Sequence, residues 1–334
     1  MKTQKKSIDK ISRRKFIGGS AALATIAFLP TGLTSCRGTQ GRMNSKFGGV
    51  QIGVQTYSFR SMPDSAEDIL GYLKEIGINS IEMMADPMEE FAGRPEYQGP
   101  SYSRGAEITD YQRTELDAAR AEYAKELHSW RTSVSMDNYS ELRKMYNDAG
   151  VDIHITRLGN PPWSDEEIDY AFNVARTLGS KGIKWEISME AAKRISPFAD
   201  RHGLYGILHN HAQPAQRGFS WDAHLNVGDN VMLNFDTGHY FGCTGRHPNG
   251  VIEKYHDRIV SLHLKDKTGP DDDSPDTNVM WGEGDTPIAD ILLLLKKNQW
   301  PIHADIELEY PIPEGSTAVL EVKRCLEFCK SVLT

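Results

Sequence analysis

Five successive apolar runs in this chain end in residues that can do chemistry. They close in Lys184-Trp185-Glu186, His209-Asn210-His211, Asp236-Thr237-Gly238-His239, His263-Leu264-Lys265-Asp266 and Asp305-Ile306-Glu307-Leu308-Glu309. Taken singly, each residue has an ordinary explanation: His209 as a hydrogen-bonded core histidine, Asp236 as a helix N-cap, Glu309 as a solvated rim residue. Taken together they do not, because clustered buried carboxylates need a compensating cation, and a metal ion is the usual one. If the runs are strands, their two-residue period puts His263 and Lys265 on one face, and likewise Asp305, Glu307 and Glu309.

The elements that position these residues are legible. Strand-like runs are expected at 50–57, 80–84, 151–157, 182–187, 205–209, 231–236, 259–264 and 303–309. Helices are expected at 66–76, 139–149, 165–178 and 191–202, each followed directly by glycine. A helix, a glycine cap and then a buried apolar strand is the grammar of βα units joined into a parallel sheet. Eight such strands without a linker predict one α/β domain over residues 50–334, a closed (β/α)8 TIM barrel, with an open doubly wound sheet as the alternative. Active sites of such barrels lie where the strands end. The stretch 86–117, rich in Gly, Pro and Tyr, reads either as a long loop over that face or as a disordered decoration.

The ordered motifs Gln55-Thr56-Tyr57-Ser58-Phe59, Asp236-Thr237-Gly238-His239, Ser261-Leu262-His263-Leu264-Lys265-Asp266, Gly282-Glu283-Gly284-Asp285 and Ile306-Glu307-Leu308-Glu309-Tyr310 resemble the sugar phosphate isomerase/epimerase group. That group has the xylose isomerase-like barrel and includes ketose 3-epimerases, hydroxypyruvate isomerase and inosose dehydratase; endonuclease IV shares its fold. The resemblance spans nearly all of residues 50–330. It implies four metal ligands from strands five to eight, His209, Asp236, His263 and Glu309, with Glu307 replacing Glu309 if the eighth strand is shifted by one pleat. His239, Lys265 and His211 would touch substrate, and Glu309, Glu186 and Lys265 would carry proton chemistry.

Two histidines with two carboxylates suit manganese, cobalt or zinc better than magnesium, and manganese is the expected ion. It would polarise a sugar carbonyl and the neighbouring hydroxyl while a carboxylate acts as general base. The epimerases carry Glu where this chain has His209, which removes one carboxylate unless Glu186 takes its place. A lyase that eliminates a group β to a keto carbon, from a keto-sugar or 3-keto-glycoside, therefore competes with an isomerase or epimerase. A non-catalytic carbohydrate-binding lipoprotein is a third reading.

The N-terminal residues add an address. Seven Lys or Arg against one acid precede an apolar run over 17–29, too short for the ~20 apolar residues of a membrane span. Ser12-Arg13-Arg14-Lys15-Phe16-Ile17 resembles a twin-arginine export signal, and Leu33-Thr34-Ser35-Cys36 a bacterial lipobox. A cleaved signal over 1–35, a lipid on Cys36 and a flexible tether over 36–49 are expected, giving a periplasmic protein attached to a membrane only through that lipid. Losing 1–35 takes the net charge from −8 to −14, which disfavours phosphate backbones and hence nucleic acid. Export also favours an unphosphorylated sugar as substrate; self-association is left open. Cys243, Cys325 and Cys329 have no CxxC spacing, and the last two read as core thiols of a final helix.

Overall fold

In the computed structural model, which describes residues 43–103 and 105–334, eight parallel strands close into a barrel. They are Val50–Gln55, Ser80–Met84, Asp152–Arg157, Gly182–Glu186, Tyr205–His209, Val231–Asp236, Ile259–Leu264 and His303–Ile306. Closure is made by the first strand, which pairs with the second (Val54 beside Ile81) and with the eighth (Ile52 beside Ala304). The export signal and the lipobox fall outside the described residues. Among those described, no helix is long and apolar enough to cross a membrane.

The helices form for local reasons. Ala66–Ile76 buries Ala66, Ile69, Leu70, Leu73 and Ile76 along one stripe, with Ser65 capping its start. Asp165–Leu178 starts in a capping box of Ser164 and Glu167. Both end on a left-handed glycine, Gly77 (φ 91°) and Gly179 (φ 80°), where a side chain would be strained. The C-terminal helix Ala318–Leu333 buries Cys325 and Cys329 as core thiols.

Two expectations need correction. The tether does not extend through residue 49: Lys46–Phe47 pairs antiparallel with Gln51 and Val50, and the Ser45 hydroxyl donates to the Ile52 carbonyl at 2.6 Å. The 86–117 stretch is neither a single loop nor a disordered decoration. It holds the helix Ala85–Phe91 and the start of a 22-residue helix, Asp110–Arg131. That helix is tied to the barrel by Arg131, which donates to Glu89 at 2.9 Å and to Glu167 at 3.1 Å while lying over the Trp163 ring at 4.0 Å. Glu89 also accepts from the Tyr170 hydroxyl at 3.1 Å.

Candidate metal centre and active site

Strand register brings the chemical residues level at one mouth. Glu186 lies beside His209, and Asp236 and Asp305 lie on either side of His263. Asp236 is fully buried and divides its two oxygens between two tasks. Oδ1 accepts the His239 backbone N–H at 2.8 Å, capping the helix Thr237–Thr244. Oδ2 is faced by His263 Nδ1 at 3.7 Å, His239 Nε2 at 3.9 Å and His209 Nε2 at 4.0 Å. Those separations are too long for hydrogen bonds and lie within the ~4.2 Å that two ligands each ~2.1 Å from one ion can span.

His209, Asp236 and His263 thus form a buried triad of potential ligand atoms. His209 is oriented from behind, its Nδ1 lying 2.6 Å from Asn234 Oδ1. The Asn234 amide nitrogen donates to Ser261 Oγ at 2.6 Å and to Glu82 at 3.2 Å, which fixes which end of the amide meets the histidine. Burial, reinforced by the nearby charges of Lys184 and His263, holds the His209 pKa well below the usual value, so the ring is the neutral, ligand-competent form.

Lys265 is the cation already in place. Its ammonium lies 2.6 Å from Glu307, 2.7 Å from Glu309 and 2.8 Å from Asp236 Oδ2. Burial opposes that charge, but the three carboxylates overcome it and raise the lysine pKa. Asp236 Oδ2 takes no well-aligned hydrogen bond from it, which leaves a lone pair facing the triad. His263 stands between two carboxylates, with Nδ1 2.8 Å from Glu307 and Nε2 2.9 Å from Glu82. Although burial disfavours a charged ring, these partners raise its pKa well above the usual value.

The eighth strand ends at Ile306, short of the expected 309, so Glu307 and Glu309 lie on the segment that follows it, and both contact Lys265. Glu307 also reaches His263, whereas Glu309 reaches His239 Nε2 at 3.3 Å and accepts from Asn278 at 3.3 Å. Glu186 is half exposed at the rim and lies 2.8 Å from His211 Nδ1, a contact that raises the His211 pKa. Trp185 and Trp281 are buried core residues, Trp163 packs under Arg131, and Tyr57 is exposed.

Several buried polar residues of the barrel lie outside the motifs. Glu82, on the second strand, is fully buried and contacts both His263 and Lys184. His154 meets Asp305 at 2.9 Å, and the Ser80 hydroxyl lies 3.1 Å from His154 and 2.9 Å from His303. A single ionic residue inside a buried strand was the available signal for Glu82 and Lys184.

Barrel, register and mouth agree with a match of the xylose isomerase-like TIM barrel family model to residues 70–331. The chain belongs to that family. The similar solved structures of this barrel family include a sugar phosphate isomerase/epimerase from Parabacteroides distasonis ATCC 8503, at 17% identity and TM-score 0.53, covering 86% of this chain and 96% of that one. The D-psicose 3-epimerase of Clostridium cellulolyticum H10, solved with D-tagatose, is 14% identical with TM-score 0.55, covering 85% and 99%. At these identities the likeness is one of fold. An inosose dehydratase from Histophilus somni (strain 129Pt) is 31% identical over 87 residues, 25% of this chain and 29% of that protein. The chain therefore spans less than a third of the length of that curated relative.

Proposed function

We propose that this protein is a divalent-metal-dependent enzyme that moves a proton beside the carbonyl of an unphosphorylated sugar or keto-sugar, with isomerisation or epimerisation as the result. The observation that carries this reading is the convergence of two acid–base pairs at one mouth. Glu186 with His211 belongs to the fourth strand and the end of the fifth; Glu309 with His239 belongs to the segment after the eighth and the helix after the sixth. The His211 and His239 rings pack edge to face with centroids 4.6 Å apart, so the two carboxylates stand at the ends of one line of acid–base groups, from which one can remove a proton and the other return it.

The ligand atoms of His209, Asp236 and His263 suit a divalent ion, with Glu307 or Glu309 as fourth donor. Glu82, Asp236, Glu307 and Glu309 outnumber Lys184, Lys265 and a charged His263 by one, so a bound cation that displaced the His263 proton would offset the negative charge left in the mouth. Such an ion, when bound, lowers the barrier for removing the proton between a carbonyl and its neighbouring hydroxyl. Manganese fits the mixed nitrogen and oxygen donors. Lys265 holds the carboxylates in place and presents a cation to developing negative charge, and His239 points Nε2 into the same space.

Elimination is the second reading, favoured by the Glu186–His211 pair, because a histidine whose pKa is raised by a carboxylate can donate its proton to a leaving group. The partial match to an inosose dehydratase points the same way. Incubation of the manganese-loaded protein with free ketoses, keto-sugars and 3-keto-glycosides in deuterium oxide separates the readings. An epimer or isomer labelled at the carbon beside the carbonyl supports the first, and an unsaturated sugar or released aglycone supports the second. Every substrate returned unlabelled would overturn both and leave a sugar-binding protein. Export by the twin-arginine route, with a lipid on Cys36, is part of the same proposal and accounts for the unphosphorylated substrate.

A further inference from the structure

We infer that Lys267 and Asp276 are positioning residues that fix His239 with its proton on Nε2, so that this histidine is a hydrogen-bond donor into the site. Lys267 is almost fully buried, and its ammonium lies 3.3 Å from His239 Nδ1 and 2.8 Å from Asp276 Oδ1. An ammonium has donors only, so Nδ1 must accept, and a neutral ring then carries its hydrogen on Nε2. That nitrogen faces the mouth, 3.3 Å from Glu309 Oε2 and 3.9 Å from Asp236 Oδ2, buried and without a well-aligned partner. It is a donor aimed at whatever enters between the two carboxylates.

Three features place the pair. Lys267 and Asn278 face each other in a two-stranded ribbon, Asp266–Lys267 against Asn278–Val279, and the excursion between them returns Asp276 to the lysine. Asp276 adopts φ 50°, a left-handed conformation that few residues with a Cβ occupy and that Asp tolerates better than most. On the facing side, the helix that carries His239 has Gly242 where a Cβ would run into Asp276 Oδ1 and crowd Lys267 Cε. The same ribbon sends Asn278 to Glu309, so one hairpin holds both halves of the His239–Glu309 pair.

The donor role toward substrate rests on the proposed proton transfer; the tautomer does not, and it is read without metal or substrate. Long-range proton–nitrogen correlation spectra of the protein labelled with 15N-histidine, with His239 assigned through His239→Gln, report it directly. The expected result is an Nε2-protonated His239 dominating by ~10-fold or more. Lys267→Met should lower that ratio several-fold, and Asp276→Asn should lower it in the same direction by less. A wild-type ring protonated on Nδ1, or a ratio unchanged in the variants, would overturn the inference. Should Lys267→Met fail to fold, the wild-type spectrum and Asp276→Asn decide it.

Discussion

Nδ1 of His209 and Oδ1 of Asn234 lie 2.6 Å apart inside the barrel, and both side chains are buried. A carbonyl oxygen only accepts, so Nδ1 carries the hydrogen and the Nε2 lone pair faces Asp236. Partners of this kind typically matter ~10–100-fold to metal affinity. Asn234→Leu should therefore weaken manganese binding by about that factor, measured by calorimetric titration with the fold monitored by circular dichroism. Unchanged affinity would remove Asn234 from the account.

Lys265 is shared by Asp236, Glu307 and Glu309, and losing one partner of a buried ionic group costs about 3–5 kcal/mol. Lys265→Met should lose about that much stability when unfolded by urea in the presence of a chelator. Manganese should restore part of it, since an ion at 100 times its Kd stabilises by about 2.7 kcal/mol. A variant as stable as the wild type in chelator would show that the carboxylates do not depend on the lysine.

Glu82 makes the stability of the protein fall in acid. Burial alone would raise its pKa, but Lys184 and His263 together bring it down from 4.5 to about 2. The folded value lies below the unfolded one, so its contribution is complete above 4.5 and is lost as the pH falls toward 2. Thermal unfolding from pH 6 down to pH 3 should show a declining Tm below about pH 4.5. Glu82→Gln should lower Tm at neutral pH and flatten that decline; an equally steep decline in the variant would assign it to other groups.

Arg131 joins the long helix Asp110–Arg131 to Glu89, which is 1% exposed, and to Glu167. Arg131→Ala leaves Glu89 buried without its main cation and should destabilise by about 3–5 kcal/mol. Hydrogen exchange should quicken first along that helix. Uniform loss of protection across the barrel would contradict a local anchor.

Much of this was legible because buried parallel strands and amphipathic helices write their periods plainly. The strands 80–84, 205–209, 231–236 and 259–264 and the helices 66–76 and 165–178 have the expected bounds. Asp110–Arg131 was not legible by period, since Leu116 is its only buried residue; the capping box of Thr109 and Gln112 was the signal that remained. Asp236 illustrates why a site can hide behind an ordinary role: it is a helix N-cap through one oxygen and a candidate ligand through the other. Lys267 and Asp276 left no trace in the sequence, because Asp276 lies in the ten-residue excursion between Lys267 and its ribbon partner Asn278.

The most direct test of the account is the manganese affinity of the purified protein compared with Asp236→Asn and His209→Gln, each checked for fold. The account predicts one ion per wild-type chain and at least a ~100-fold loss of affinity in either variant, about 2.7 kcal/mol. Wild-type protein that binds no manganese, or variants that bind it as tightly as the wild type, would contradict a metal centre at the mouth of this barrel.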